Sequence, residues 1–262
     1  MVVVEVVVRD LVIDCLLGLN IRWKIVKLTK KPFIEEDTKY DMLIFTQAWP
    51  MTSCYEWEEK SPSHKCNLPP DEEWSIHGLW PTKNGTMGPF FCNRTMHFNL
   101  AALESLRAQL EVKWIDVHKG AKPHEFWRHE WEKHGTCSVD LEVVNTEKKY
   151  FQKGLDLLDQ YDMKHVLGKA NIVPNGKYHL QDYLDGVRKI LGKNAQVECV
   201  RNTKRKELYI SEMRICFDRQ FDLIDCNGIP HFPSNCDHNQ QIIYPGSVPD
   251  LITHLQPSAI QI

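Results

Sequence analysis

Nine cysteines stand at positions 15, 54, 66, 92, 137, 199, 216, 226 and 236 of a 262-residue chain, and eight of them lie between residues 54 and 236. An even set in one block with a single outlier, Cys15, points to four disulfides and a leftover thiol. Such a framework restricts the block to folds that bring eight thiols together in pairs, and it belongs to an oxidising compartment. Eight cysteines admit about 105 pairings, so the connectivity stays open at this level. Zinc ligation is the competing reading, and the absence of any Cys-x-x-Cys pair speaks against it. Two N-x-[ST] sequons, at Asn84 and Asn93, lie close to Cys92 and add glycosylation in the secretory pathway to the expectation.

Residues 1–39 form an atypical N-terminal segment. Glu5, Arg9, Asp10 and Asp14 interrupt the apolar run that a secretory signal needs. An unusual leader and an alternative start both fit this pattern. No stretch reaches the roughly 18 uninterrupted apolar residues of a spanning helix, so no membrane span is expected. Apolar residues make up 42% and charged residues 26%, which excludes a mostly disordered, collagen-like or coiled-coil chain. The net charge of −3 argues against holding nucleic acid by bulk electrostatics. Protonating all twelve histidines would raise that charge to +9, so an acidic compartment makes the surface basic.

Residues 40–245 read as a single domain, with residues 246–262 as a C-terminal tail. Asp41 to Trp49 has the β-rich composition of a strand ended by Pro50, and Glu73 to Trp80 that of a second ended by Pro81. Asn99 caps a candidate helix that carries Leu100, Leu103, Leu106, Leu110 and Trp114 on one side. Further helices are expected over His124–His134, closed by Gly135, and over Lys148–Tyr161 and His179–Leu191. Alternation around Met213, Ile215 and Phe217 marks a strand, and Gln241–Tyr244 a last one. Strands and helices mix without regular βαβ alternation, which favours an α+β fold.

Two segments concentrate reactive groups: Trp74-Ser75-Ile76-His77-Gly78-Leu79-Trp80-Pro81, and Phe126-Trp127-Arg128-His129-Glu130-Trp131-Glu132-Lys133-His134-Gly135-Thr136-Cys137. On a helix at about 100° per residue, His129, Lys133, Glu130 and His134 share less than half the circumference. A solvated face with i,i+4 charge pairs explains Arg128 and Glu132, but not two histidines wedged among tryptophans. A zinc-protease helix needs histidines at i and i+4; here the second is at i+5, about 140° away, and i+4 is a lysine that would repel the metal. Acid–base catalysis on a phosphodiester fits better. One neutral and one protonated imidazole serve as base and acid, and lysine and a further imidazolium stabilise the phosphoryl charge. His77 alone would more often be a core histidine, but beside the second cluster it reads as the third imidazole.

Ile-His-Gly-Leu-Trp-Pro and His-Glu-Trp-Glu-Lys-His-Gly-Thr-Cys resemble the two active-site segments of the ribonuclease T2 family, secreted, vacuolar or lysosomal acid endoribonucleases. The resemblance runs over about residues 40–245 and includes Thr-Gln-x-Trp-Pro at 46–50. It implies an α+β fold with a central antiparallel sheet and packed helices, and disulfides Cys54–Cys66, Cys92–Cys137, Cys199–Cys236 and Cys216–Cys226. It also implies a general base at His134, a general acid at His77, a phosphate contact at His129 and transition-state stabilisation by Glu130 and Lys133. The substrate would be single-stranded RNA and the product a 2′,3′-cyclic phosphate, with no cofactor, no metal, a monomeric enzyme and a secreted or lysosomal location. Trp80 resembles the family's base-stacking aromatic, with core packing as its alternative. Thr82 stands where the family commonly has a base-reading aspartate, which leaves base preference open. Phe126 is a candidate for a second base site or for the core. A secreted binding protein that keeps the fold without catalysis is the rival class.

Overall fold

The computed structural model describes residues 40–122 and 124–251, together with the backbone of three strands nearer the N-terminus. Expectations for the rest of residues 1–39, for the Cys15 thiol and for residues 252–262 of the tail lie outside the described residues. The chain divides into two units, Met1–Thr38 and Lys39–Ile262. In the first, β1 (Val3–Val8), β2 (Leu11–Leu16) and β3 (Ile25–Val26) pair antiparallel in chain order.

The second unit is built on a seven-stranded sheet. Its strands are β4 (Met42–Ala48), β5 (Ser75–Thr82), β6 (Lys177–Tyr178), β7 (Gln196–Asn202), β8 (Glu207–Phe217), β9 (Leu223–Ile224) and β10 (Ile242–Ile243). The order is β5-β4-β8-β10-β6, with β7 and β9 also paired to β8, and every pairing is antiparallel except β8–β10. The central strand β4 is dry on both faces. Leu43 and Phe45 enter the main core, while Met42 and Ile44 pack into a smaller cluster with Trp80, Cys216, Cys226 and Ile229.

Six helices accompany the sheet among the described residues: α1 (Pro50–Lys60), α2 (Arg107–Lys113), α3 (Glu125–Lys133), α4 (Glu147–Tyr161), α5 (Met163–Lys169) and α6 (Leu180–Leu191). None is long and apolar enough to cross a membrane. Pro50 ends the first strand as expected and then opens α1, because its missing N–H costs nothing in a first turn. The Asn99 cap forms, accepting from the Ala101 N–H, but a short 3-10 turn over Leu100–Leu103 separates it from α2. Leu103, Leu106, Leu110 and Trp114 are nevertheless buried together. Strand β5 does not stop at Pro81 but runs through it to Thr82; β5 is an edge strand, where a residue without an N–H is tolerated. Disulfides join Cys54–Cys66, Cys92–Cys137, Cys199–Cys236 and Cys216–Cys226.

Between helices and sheet lies an aromatic cluster in which Trp114 meets Phe151 edge-on at 4.8 Å and Trp131 meets Tyr150 at 5.8 Å. Gly154 on α4 lets the Trp114 ring approach, since a Cβ there would overlap it. Gly154→Ala gains about 1 kcal/mol of helix propensity. Overpacking against a fully buried indole costs about 1–3 kcal/mol. Net destabilisation is therefore expected, read as a lower urea midpoint at unchanged slope. A raised midpoint would mean that Trp114 has room to shift.

Candidate active site

His77 sits on β5 at an irregularity of the sheet. Thr46 pairs with Gly78 and Gln47 with Ile76, so His77 is the extra residue of a β-bulge. A bulge shifts the alternation of a strand and re-aims one side chain. Accordingly Ile76 and Leu79, three apart, both enter the main core, and His77 is left with 36% of its side chain exposed. The backbone is gripped on both sides: Trp114 Nε1 donates to the His77 carbonyl at 3.0 Å, and the Tyr150 hydroxyl to the Leu79 carbonyl at 2.9 Å. Between them, any Cβ at Gly78 would overlap Trp80 Nε1 and Glu130 Oε2. Those two atoms form a 2.8 Å hydrogen bond, with the indole donating, and this bond joins β5 to α3.

On α3, Trp127, Glu130 and Trp131 are buried and His129 is exposed. Regular helix stops at Lys133, and Gly135 follows because a Cβ there would overlap the Trp131 ring. His134 is the C-cap of α3 at φ −112° and ψ −51°, and its N–H still donates to the Glu130 carbonyl at 3.1 Å. Its ring lies 6.2 Å from that of His129, and the ligating atoms of His129, Glu130 and His134 come within 4.8 Å of one another. A metal could reach these donors, but the Lys133 ammonium acts on all three and opposes a divalent cation. His134 is 4% exposed, stacked on Trp80 at 5.3 Å and edge-on to Phe90 at 5.5 Å, and its buried Nδ1 has no hydrogen-bond partner among the described residues.

The imidazoles of the buried His134 and the partly exposed His77 are driven in opposite directions. Burial, reinforced by Lys133, His129 and His77, takes His134 down to about 2. Burial also disfavours the His77 imidazolium, but the Glu212 carboxylate, by charge and hydrogen bond, and then Glu130 outweigh it and raise the group. His129 is lowered by burial, then by Lys133 and His77. Glu130 is raised to about 7 by burial, against the pull of His77, the Trp80 hydrogen bond and Lys133.

The expected base-contacting residues are placed unevenly. Trp80 is 6% exposed, enclosed by His134, by His77 at 5.1 Å and by the Arg214 guanidinium at 5.4 Å. Thr82 is fully buried at the far end of β5, its hydroxyl donating to the Trp80 carbonyl, and is not brought to the open side of the site. Phe126 is half-buried 5.7 Å from His77 and lines a cavity of about 200 Å³ with His77, Glu212, Trp57 and His118. Phe90 was not anticipated: it is 44% exposed, with Lys133 Nζ 5.0 Å from its ring. Glu212 was missed as well, although it contacts His77, because it lies on a strand remote in sequence. Of the sequons, Asn84 lies exposed in a turn, and the half-exposed Asn93 accepts from the Thr95 hydroxyl at 2.7 Å.

Comparison with known proteins places these features in one group. The model of the ribonuclease T2 family matches residues 40–226. Ribonuclease T2 of Danio rerio is 33% identical over 84% of this chain and 93% of its own length. Ribonuclease Oy of Magallana gigas is 33% identical over 79% of this chain and 96% of its own. Among solved structures, RNase NT in complex with 5′-AMP superposes with a TM-score of 0.66 at 29% identity, covering 79% of this chain and 98% of that one. Human RNase T2 gives 0.65 at 30% identity, covering 79% and 99%.

The raised Glu130 has a consequence for stability. Between the ordinary value of 4.5 and about 7 the unfolded chain ionises this carboxyl while the folded chain keeps it protonated. The folded state then binds more protons, so this group's contribution to stability falls as pH rises through that window. Glu130→Gln, neutral throughout and still an acceptor for Trp80, should gain on the parent by about 1–3 kcal/mol between about pH 5 and pH 8 in urea unfolding. A pH-independent difference would show that Glu130 is not held protonated.

Proposed function

The chain belongs to the ribonuclease T2 family and is an endoribonuclease, and from that premise we propose that it cleaves single-stranded RNA without a metal through His77, His129, Glu130, Lys133 and His134. His134 is the general base. With Nδ1 sealed in the protein, Nε2 takes the proton from the ribose 2′-hydroxyl, whose oxygen attacks the adjacent phosphorus. His77 is the general acid and protonates the 5′-oxygen as the P–O5′ bond breaks, leaving a 2′,3′-cyclic phosphate and a 5′-hydroxyl. His129 holds the phosphate, and Lys133 with Glu130 stabilises the pentacoordinate transition state. Phe90 and Phe126 offer faces on which a base can stack on either side of the scissile bond.

The observation that carries this reading is the unlike setting of two imidazoles in one site: His134 is enclosed by Trp80 and Phe90 and driven downward, while His77 meets the Glu212 carboxylate and is driven upward. General acid–base catalysis needs one neutral and one protonated at the same pH, and here both forms are the dominant ones across the acidic range. Acidic pH also keeps Glu130 neutral beside the anionic phosphate; above about 7 its charge would repel the substrate. Four disulfides and two turn-borne sequons support a secreted or lysosomal enzyme glycosylated at Asn84 and Asn93.

RNA cleavage by the oxidised protein, followed from about pH 4 to about pH 8 with EDTA present, should peak on the acid side and give 2′,3′-cyclic ends. DNA should survive, since it lacks the attacking 2′-hydroxyl. His77→Phe and His134→Phe should each lose about 10²–10⁴-fold in kcat. Loss of cleavage in EDTA, or none by folded and disulfide-bonded protein, would overturn the proposal and leave the binding-protein class in its place.

A further inference from the structure

The nitrogen of His77 that faces the sheet is not idle. His77 Nδ1 lies 2.5 Å from Oε1 of Glu212 on β8. The second oxygen of that carboxylate accepts from Arg214 Nη2 at 2.6 Å and Nε at 3.1 Å. Arg214 is fixed in turn: Nη1 donates to Gln196 Oε1 at 3.0 Å and Glu198 Oε1 at 3.2 Å on β7. The side chains of Glu212 and Arg214 are only 15% and 13% exposed. Neither belongs to the two segments that carry the other reactive groups; strand pairing delivers them. The register of β7 against β8 slips between Glu198/Glu212 and Cys199/Ile210, leaving Ser211 as an extra residue beside Glu212. Each partner of this contact therefore sits at or next to a bulge, where a sheet re-aims side chains.

We propose that Glu212, clamped by Arg214, is the positioning residue of His77, fixing the proton on Nδ1 so that Nε2 is the nitrogen that donates to the leaving oxygen. This rests on the reading of His77 as general acid. A purely structural ion pair is complete without the imidazole, because Arg214 already satisfies Glu212 through two donors on Oε2. Oε1 is left turned to His77. In the cleavage step the Nε2 proton passes to the 5′-oxygen as the P–O5′ bond breaks, and the ring, now neutral, keeps Nδ1–H donated to the carboxylate. Glu212 stays ionised throughout, its carboxyl held down by His77 and Arg214 against the cost of its burial. The charges facing His77 are Glu212 and Arg214 from β8, and Glu130, His129 and His134 from α3 and its cap. Glu56, Lys60, Asp116 and His118 share the cavity it lines. Burial and Arg214 oppose the imidazolium, and the two carboxylates prevail.

The test is the titration of individual histidines by NMR in the ligand-free, oxidised protein, combined with pH–rate profiles. In the wild type His77 should titrate above the ordinary imidazole value and His129 below it; His77 titrating at or below that value would by itself overturn the proposal, with no variant needed. Glu212→Gln removes the charge and keeps a single acceptor oxygen, which cannot serve His77 and Arg214 at once, so the His77 titration and the basic limb of kcat should move together to lower pH while KM holds. Glu212→Ala loses the clamp as well, and kcat should fall further, by up to about 10²-fold, even where His77 is protonated. A merely structural glutamate would lower the unfolding midpoint without moving His77, and that result would sink the proposal. If the histidine shift is present and RNA is not cleaved, the nuclease reading fails while the dyad stands. Cleavage with an unshifted His77 would fail the dyad alone.

Discussion

The hydrogen bond from Trp80 Nε1 to Glu130 Oε2 is the point at which β5 and α3 become one site. It exists only because residue 78 has no side chain, and it requires a carboxylate to be taken out of water. Two aromatic donors, Trp114 and Tyr150, hold the strand carbonyls on either side of Gly78, so the edge strand cannot drift away from the helix that covers it. Their rings are core residues, and their polar ends grip the backbone, which is how large amphipathic aromatics combine packing with orientation. The apolar core of the molecule and the geometry of its reactive groups are thus set by the same side chains.

From that bond the electrostatics follow. Glu130 is held neutral below about 7 by its burial, and what it adds to the charge on His77 comes after the larger contribution of Glu212. His134 is stacked on Trp80 and enclosed by Phe90, so nothing compensates a charge there and it stays neutral. His77 is also partly enclosed, but it has a committed anion on its sheet side, and its charge is favoured. Two groups with the same intrinsic chemistry are driven apart chiefly by the Glu212 carboxylate, supplied from a strand more than a hundred residues further along the chain.

Much of this was legible in the sequence. The α3 segment could be read from its tryptophans, which at helical spacing had to face a core, and the reactive residues between them followed. Burial of Leu103, Leu106, Leu110 and Trp114 was legible from their spacing even though the helix is interrupted, because side-chain direction survives a 3-10 turn. What could not be read was anything set by strand register. The bulge at His77 depends on how β5 pairs with β4, and Glu212 depends on where β8 falls in the sheet. Glu212 and Arg214 read locally as the polar side of an alternating strand.

The cysteines that most constrain the fold also bear on the chemistry. Cys137 lies three residues after His134, and its bond to Cys92 holds the loop that carries Phe90 over the imidazole. Apart from that crosslink, the loop is fastened there by the Phe91 N–H to the Lys133 carbonyl at 2.8 Å and by the Lys133 ammonium over the Phe90 ring. At the other side of the site, Cys226 bonds to Cys216 at the end of β8 and packs within 3.5 Å of the Arg214 carbonyl, next to the clamp on Glu212. Reduction would therefore loosen the enclosure that keeps His134 neutral and the strand that keeps His77 charged. The same two crosslinks therefore serve the geometry of the site as well as the stability of the fold.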